Sequence, residues 1–303
     1  MSLFNTLMAS AVALAPRALV RKISRRYIAG DTVADAIERV AALNAAGFAA
    51  TVDVLGETTE SLSQADATTR EYLKVLEAIA REDLRANISV KPTALGLLLD
   101  EAHCERNLER LLDAAKAYSI FVRMDMEDAS CTQREIDLLL RLKARGYGNL
   151  GLVLQAYLKR TGEDIASLLG AGENLRICKG IYAEDREHLV EGAGQDRRAI
   201  NPHFLRHVAS CFDSGTFVGV ATHDEELVDQ VIALAQHRQM ARTAFEFQML
   251  LGVQEGLRDR LLAEGYSVRI YVPYGRDWYA YSMRRIKENP RIAGYLLRAL
   301  LTR

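Results

Sequence analysis

Residues 271–289 read Y-V-P-Y-G-R-D-W-Y-A-Y-S-M-R-R-I-K-E-N and crowd several kinds of chemistry into one short passage. Arg284 and Arg285 carry planar donor forks that suit a small carboxylate, although an arginine pair by itself also suits a solvated helix face. Tyr271, Trp278, Tyr279 and Tyr281 gather around them as aromatic walls. Pro273 and Gly275 mark a turn, and Asp277 is placed to cap a helix starting at Trp278. On that helix Tyr281, Arg284 or Arg285, and Glu288 have spacings that allow a shared face. A further positive charge, Lys91, ends the run N-I-S-V-K and precedes Pro92, which discourages immediate helical continuation. Lys91 either joins the arginines on one anion or pairs with Asp53 or Asp125 across neighbouring strands.

These groups need a scaffold that brings distant segments together. Short runs rich in β-branched and aromatic residues occur at 49–57, 86–91, 119–127, 150–157, 175–180, 216–222, 244–248 and 267–272. Many are apolar without clean alternation, as expected of strands covered on both faces. Stretches with apolar residues three and four apart lie between and after them, at 70–84, 105–117, 132–144, 162–169, 199–212, 224–239, 250–264 and 277–300. Segment 28–46 reads as an extra helix in front. Eight alternations predict an α/β fold, a closed (β/α)8 TIM barrel, with a large doubly wound sheet as the alternative. In a barrel the strand C-termini surround one opening, and here they carry Asp53, Lys91, Asp125, Gln155, Arg176, Lys179, Thr222, Glu246, Gln248 and Tyr271. Any one of them could be a barrel salt bridge; together they predict a site. The charge-rich segment 181–201 suits a solvated loop or, following strand five, a cofactor-binding wall. The expected organisation is a helical extension over 1–47 and a catalytic barrel over 48–303.

Bulk properties narrow the function. The 303 residues hold 39 basic and 40 acidic side chains, which gives no support to a broad nucleic-acid surface. Cys104, Cys131, Cys178 and Cys211 are too widely spaced for a zinc knuckle or disulfide framework, so a reducing cytosolic setting is expected. His203 and His207 share a helix face but do not make a metal signature, and no metal is expected. The sequence holds no nucleophile elbow, Walker loop or G-x-G-x-x-G fingerprint. The apolar run within 4–19 is too short to span a membrane; followed by Arg17, Lys22, Arg25 and Arg26, it reads as a covering helix or a peripheral membrane contact.

The ordered segments S-V-K-P at 89–92, D-M-E-D at 125–128, Q-A-Y-L-K-R at 155–160, R-I-C-K-G-I-Y at 176–182, A-T-H-D at 221–224 and F-E-F-Q-M-L at 245–250, followed by Y-x-x-R-R-x-x-E at 281–288, resemble the proline dehydrogenase family. The resemblance spans roughly residues 48–290 and points to the stand-alone bacterial form. It implies a distorted (β/α)8 barrel holding FAD, with the final helix over the mouth. It also implies oxidation of L-proline to Δ1-pyrroline-5-carboxylate and electron transfer to a quinone or another acceptor, in the cytoplasm or peripherally on the inner face of a bacterial membrane. Carried over residue by residue, Lys91, Arg284 and Arg285 match the groups that hold the substrate carboxylate. Tyr182, Leu250, Tyr271 and Tyr281 match the pocket wall, and Asp125 matches a residue supporting the tyrosine and the cations. Gln155, Arg176, Lys179, Thr222 and His223 match cofactor contacts, and Glu288 matches an anchor for an arginine. Glu57 and Glu60 follow the first strand and could either reach Arg284 over the mouth as a lid or stay solvated at the surface. Two other readings stay open on sequence: a carboxylate-binding barrel lyase or aldolase forming a Schiff base through Lys91, and a non-catalytic ligand-binding scaffold.

One residue departs from the family pattern. Ile181 stands between Gly180 and Tyr182 where an alanine is usual, and added volume in a packed site is felt. Ile181→Ala is therefore expected to keep proline turnover while changing the ratio of hydroxyproline to proline kcat/KM. Identical kinetics and inhibition in wild type and variant would remove Ile181 from the pocket.

Overall fold

The computed structural model describes residues 17–56, 59–169, 173–279 and 281–283. Two helices lead in, α1 (Arg17–Ser24) and α2 (Val33–Ala45). The capping box at the start of α2 satisfies its first backbone donors, with Thr32 Oγ1 accepting from Asp35 N and the Asp35 carboxylate accepting from Thr32 N. Strands and helices then alternate: β1 (Ala49–Val54), α3 (Leu62–Arg81), β2 (Ala86–Val90), α4 (Glu101–Ala117), β3 (Val122–Met124), α5 (Thr132–Ala144), β4 (Leu150–Gln155) and α6 (Thr161–Leu168). The second half adds β5 (Asn174–Cys178), α7 (Asn201–Asp213), β6 (Phe217–Ala221), α8 (Glu225–His237), β7 (Phe245–Leu250), α9 (Glu255–Ala263) and β8 (Val268–Tyr274).

All eight strands pair in parallel in sequence order, and β1 closes on β8 with Val52 opposite Val272. The barrel expected from the alternation is therefore present, and the doubly wound sheet is not. Burial explains why the strands lack alternation: Val52, Ile88, Val122, Leu152, Ile177, Val220, Phe247 and Ile270 are all shielded from solvent, because helices cover the outside of the ring. Between the barrel and the helices, Leu76, Leu108, Leu139, Phe204 and Val231 form one continuous apolar layer.

Some boundaries moved for local reasons. The third strand is only three residues long, because Ser119 takes a left-handed backbone (φ 57°) before it and the chain leaves the sheet at Asp125. Helix α3 begins eight residues before the expected 70, capped by Ser61, whose Oγ accepts from Gln64 N at 3.3 Å. Its first turns are polar, and only Ala65 and Thr69 face inward there, so the apolar period is silent. Conversely α9 starts at Glu255 rather than 250, because β7 runs through Leu250 and Gln254 turns at φ 50°. Helical backbone resumes at 278–279 and 281–283, and the rest of the expected final helix lies outside the described residues.

A buried cation plugs the barrel at the N-terminal side of the strands. Arg123 is 1% exposed, donates to Leu152 O at 3.1 Å and to the backbone and side chain of Asn174, and lies over the Phe121 ring. Gly151 makes room for it, since a Cβ there would strike both the Arg123 guanidinium and the Asn174 carbonyl. Backbone cannot yield as a flexible side chain can. Gly151→Ala is therefore expected to destabilise the fold by about 2 kcal/mol, read as a lower urea midpoint at unchanged m-value.

Candidate active site

The C-terminal ends of the strands enclose a cavity of about 640 Å³. It is the place where a parallel barrel offers side chains from many strands to one ligand. Of the residues singled out from the sequence, Lys91, Asp125, Gln155, Arg176, Lys179, Tyr182, Thr222, His223, Leu250, Tyr271 and Tyr281 all line it. Arg284, Arg285, Glu288 and Glu57 lie outside the described residues. Glu60 is exposed on the approach to α3, and Ile181 is 37% exposed on the cavity wall.

The floor of the cavity is a chain of hydrogen bonds among charged and polar side chains. Asp125 follows β3, and its Oδ1 accepts from Arg176 Nη1 at 2.7 Å and from Ser89 Oγ at 2.7 Å. Its Oδ2 accepts from the Tyr271 hydroxyl at 2.8 Å, while the Arg176 guanidinium lies 5.5 Å from the centre of the Tyr271 ring. The other edge of Arg176 donates through Nε to Gln248 Oε1; Gln248 Nε2 donates on to Glu246 Oε1 at 2.7 Å. The Gln248 amide packs against Gly219 of β6, where a Cβ would collide with it, although in register Gly219 stands beside Glu246 and Gln248 beside Ala221. Arg269 closes this lower ring, with Nε on Glu246 Oε1 at 2.6 Å and Nη1 on Ala50 O at 2.8 Å. Burial, reinforced by the Asp125 charge, pushes the Tyr271 phenol far above its ordinary range, so it is a donor at any working pH.

Lys91 sits just beyond β2 with Nζ 2.8 Å from Asp53 Oδ1, so of the two acids expected beside it Asp53 takes the direct contact. Burial works against the Lys91 charge, but Asp53 and then Asp125 outweigh it and raise the pKa. The wall after β5 and β6 is also cationic. Lys179 Nζ donates to Asp224 Oδ2 at 2.7 Å, and Arg197 Nη2 donates to Gly180 O at 2.7 Å. His223 Nε2 accepts from Leu250 N at 2.8 Å, which fixes the ring as the tautomer protonated at Nδ1. Gln155 bridges two loops, its Nε2 donating to Glu127 O and its Oε1 accepting from Ile181 N at 3.3 Å.

Sequence reasoning missed Arg197, Asp224 and Arg269 in this cavity. Arg197 lies in the 181–201 segment expected to form a cofactor wall, and its arginine pair with Arg198 was the available signal. Arg269 points inward from the interior of β8, and nothing in a lone strand arginine announces that. Burial pushes His207 down to about 4, and its Nε2 makes no hydrogen bond among the described residues. No group of three or more potential metal ligands occurs among the described residues. All four cysteines are free thiols.

A closed parallel barrel whose mouth holds a buried cation–carboxylate–tyrosine network has the architecture of a barrel enzyme. The proline dehydrogenase family model matches residues 36–297, and the chain belongs to that family of enzymes. It is 38% identical to proline dehydrogenase 1 of Bacillus subtilis (strain 168) over 278 residues, covering 92% of this chain and 90% of that protein. It is 35% identical over 283 residues to the proline dehydrogenase of Deinococcus radiodurans, with the same two coverages. Among solved structures, proline utilization A from Bdellovibrio bacteriovorus, inactivated by N-propargylglycine, superposes with a TM-score of 0.81 at 23% identity. That match covers 89% of this chain and 33% of the other, so the chain spans about a third of the solved protein, and the likeness supports the fold.

Behind the Lys91 turn lie two further buried acids. Glu127 accepts from Thr93 N at 2.9 Å and from Thr93 Oγ1, while Glu135 Oε1 accepts from Glu127 N at 3.3 Å. Glu135 is fully shielded, and its Oε2 has no hydrogen-bond partner among the described residues. Burial first, and the Glu127 charge second, raise its pKa well above the ordinary 4.5. An acid with a raised folded pKa costs nothing below its unfolded value and progressively destabilises the fold as pH rises past it. Glu135→Gln is thus expected to raise Tm by about 2–4 °C at pH 8. That gain should shrink toward zero as the pH is lowered to 4.5; a gain equal at both pH values would show that ionisation is not its cause.

Proposed function

We propose that this protein oxidises L-proline to Δ1-pyrroline-5-carboxylate with FAD, and returns the electrons to a quinone or another acceptor. Family membership supports the reaction, and one observation supports the site: Lys91, Asp125, Arg176 and Tyr271, from four strands, line a single cavity. In this reading Lys91, with Arg284 and Arg285 joining from the final helix, holds the substrate carboxylate. Lys91 has two ammonium donors left after Asp53, enough for a carboxylate oxygen. Tyr271, Tyr281, Tyr182 and Leu250 wall the pyrrolidine ring and exclude water from it. Asp125 acts through others, fixing the Tyr271 phenol and the Arg176 guanidinium.

The donor set fits a flavin dinucleotide. Lys179 and Arg197 give a cationic wall for the pyrophosphate. Arg176, Gln155 and Thr222 offer donors for the ring system, with His223 beside them on the cavity wall. When bound there, FAD would supply the two-electron acceptor that no side chain can provide. The chain's own task is then orientation: a clamped carboxylate and walled ring bring C5 into one reactive pose. The amine loses a proton and C5 a hydride, which leaves the C=N bond of the product.

The Schiff-base alternative needs a neutral lysine, and here the neighbouring carboxylates hold Lys91 charged. We further assign residues 1–47 to a helical extension and 48–303 to the catalytic unit. Exposed Arg17, Lys22, Arg25 and Arg26 on and just after α1 support a peripheral contact with the inner face of a bacterial membrane, from the cytoplasm. No described helix is long and apolar enough to cross a membrane.

Anaerobic titration of the flavin-loaded protein with L-proline tests the reading. Stepwise bleaching of the oxidised flavin band, with one pyrroline-5-carboxylate formed per flavin reduced, is expected. A chain that takes up no FAD on reconstitution, or holds FAD that proline does not reduce, overturns it. Borohydride trapping at Lys91 would favour the aldolase instead.

A further inference from the structure

Lysine is a compact charge on a flexible four-carbon stem, so its usefulness depends on what fixes its far end. Among the described residues Lys91 Nζ donates to Asp53 Oδ1 at 2.8 Å. The other nearby acids have other work. Asp125 accepts from Arg176, Ser89 and Tyr271, and Glu127 accepts from Thr93. Asp53 is 1% exposed, and its Oδ2 makes no hydrogen bond among the described residues, the Tyr271 hydroxyl being directed to Asp125 instead.

Asp53 is in turn supported from outside the ring. Tyr72 belongs to α3, on the helical layer, and is 1% exposed. Its hydroxyl reaches the seam where Asp53 pairs with Ser89, lying 3.2 Å from Asp53 Oδ1 and 2.7 Å from Ser89 O. It also accepts from Val54 N at 3.1 Å. Its one proton is shared between the Asp53 and Ser89 oxygens, with Ser89 O the nearer, and through it a helix side chain reaches the carboxylate that braces the lysine.

We propose that Asp53, steadied by Tyr72, is a positioning residue that sets where the Lys91 ammonium stands and so how tightly the substrate carboxylate is held. The inference rests on the proline reading above. Asp53 leaves two ammonium donors free, and its unengaged oxygen lets it keep hold of Lys91 as the substrate arrives. The groups facing Lys91 are Asp53 from β1, Asp125 and Glu127 from the segment after β3, Arg176 from β5, Tyr271 from β8 and Tyr72 from α3. Removing the Asp53 charge leaves a buried ammonium whose support among the described acids is Asp125 and Glu127. Lys91 then loses its proton at a lower pH than in the wild type.

The test uses flavin-loaded full-length protein and cyclopentanecarboxylate, a ring carboxylate with no amine to oxidise. Asp53→Asn is expected to weaken cyclopentanecarboxylate binding and raise the KM for L-proline by about thirtyfold, the size expected for splitting a buried charge pair. kcat should change much less. The ratio of variant to wild-type kcat/KM should also fall as the pH is raised on the alkaline side, because Lys91 loses its proton first in the variant. Tyr72→Phe, a gentler change, should move binding the same way by about fivefold. If Asp53→Asn does not fold, this variant decides alone. Binding unchanged or tighter in both variants, with a wild-type pH profile, overturns the inference while leaving the proline reading intact. A wild-type protein that neither binds the analogue nor oxidises proline overturns both.

Discussion

The mouth of this barrel depends on one carboxylate. Asp125 uses both oxygens on three partners, Arg176, Ser89 and Tyr271, and so joins β2, β3, β5 and β8 at a single point. A buried guanidinium without such a partner would be strongly destabilising, because the barrel interior cannot solvate it. The arrangement also fixes the Arg176 plane, since its opposite edge is held by Gln248. Everything a ligand meets on the cavity floor is therefore set before it arrives.

Around that point the barrel carries its charges in tiers. Arg123 fills the N-terminal end against backbone carbonyls, and Arg269 with Glu246 forms the layer beneath the site. Above them stand Arg176 with Asp125 and then Lys91 with Asp53. Arg176 and Arg269 are each matched by a carboxylate, whereas Arg123 is held by carbonyl and amide oxygens. At the mouth Lys91 keeps donors unused among the described residues, and the β5–β6 wall presents Arg197 and the Asp224-paired Lys179. Tight packing enforces the tiers: Gly151 and Gly219 are the places where large polar side chains pass close to a neighbouring strand.

The N-terminal segment is tied into the same end of the molecule. Ser24 Oγ donates to Ser282 Oγ at 2.6 Å, and Ala29 N donates to Pro273 O at 2.9 Å. Arg21 lies over the Trp278 ring, while Val20, Tyr27, Ile28 and Leu55 form a small apolar cluster against Trp278, Tyr279 and Tyr281. The first lead-in helix and the turn after it therefore back the start of the final helix, which brings Tyr281 to the cavity.

Local sequence determined the strand and helix types, because a doubly covered strand and a one-sided helix leave different periods of apolar residues. It also determined that polar groups collect at strand C-termini, and the ordered motifs gave the family. Weakly apolar ends such as 62–69 were illegible, since a capped polar helix turn has no period to read. Which acid takes Lys91, and that Arg197 and Arg269 belong to the cavity, were decided only in three dimensions. Closing β1 onto β8 brings side chains more than two hundred residues apart into contact, and strand register then decides which carboxylate meets which cation. No local pattern encodes that distance.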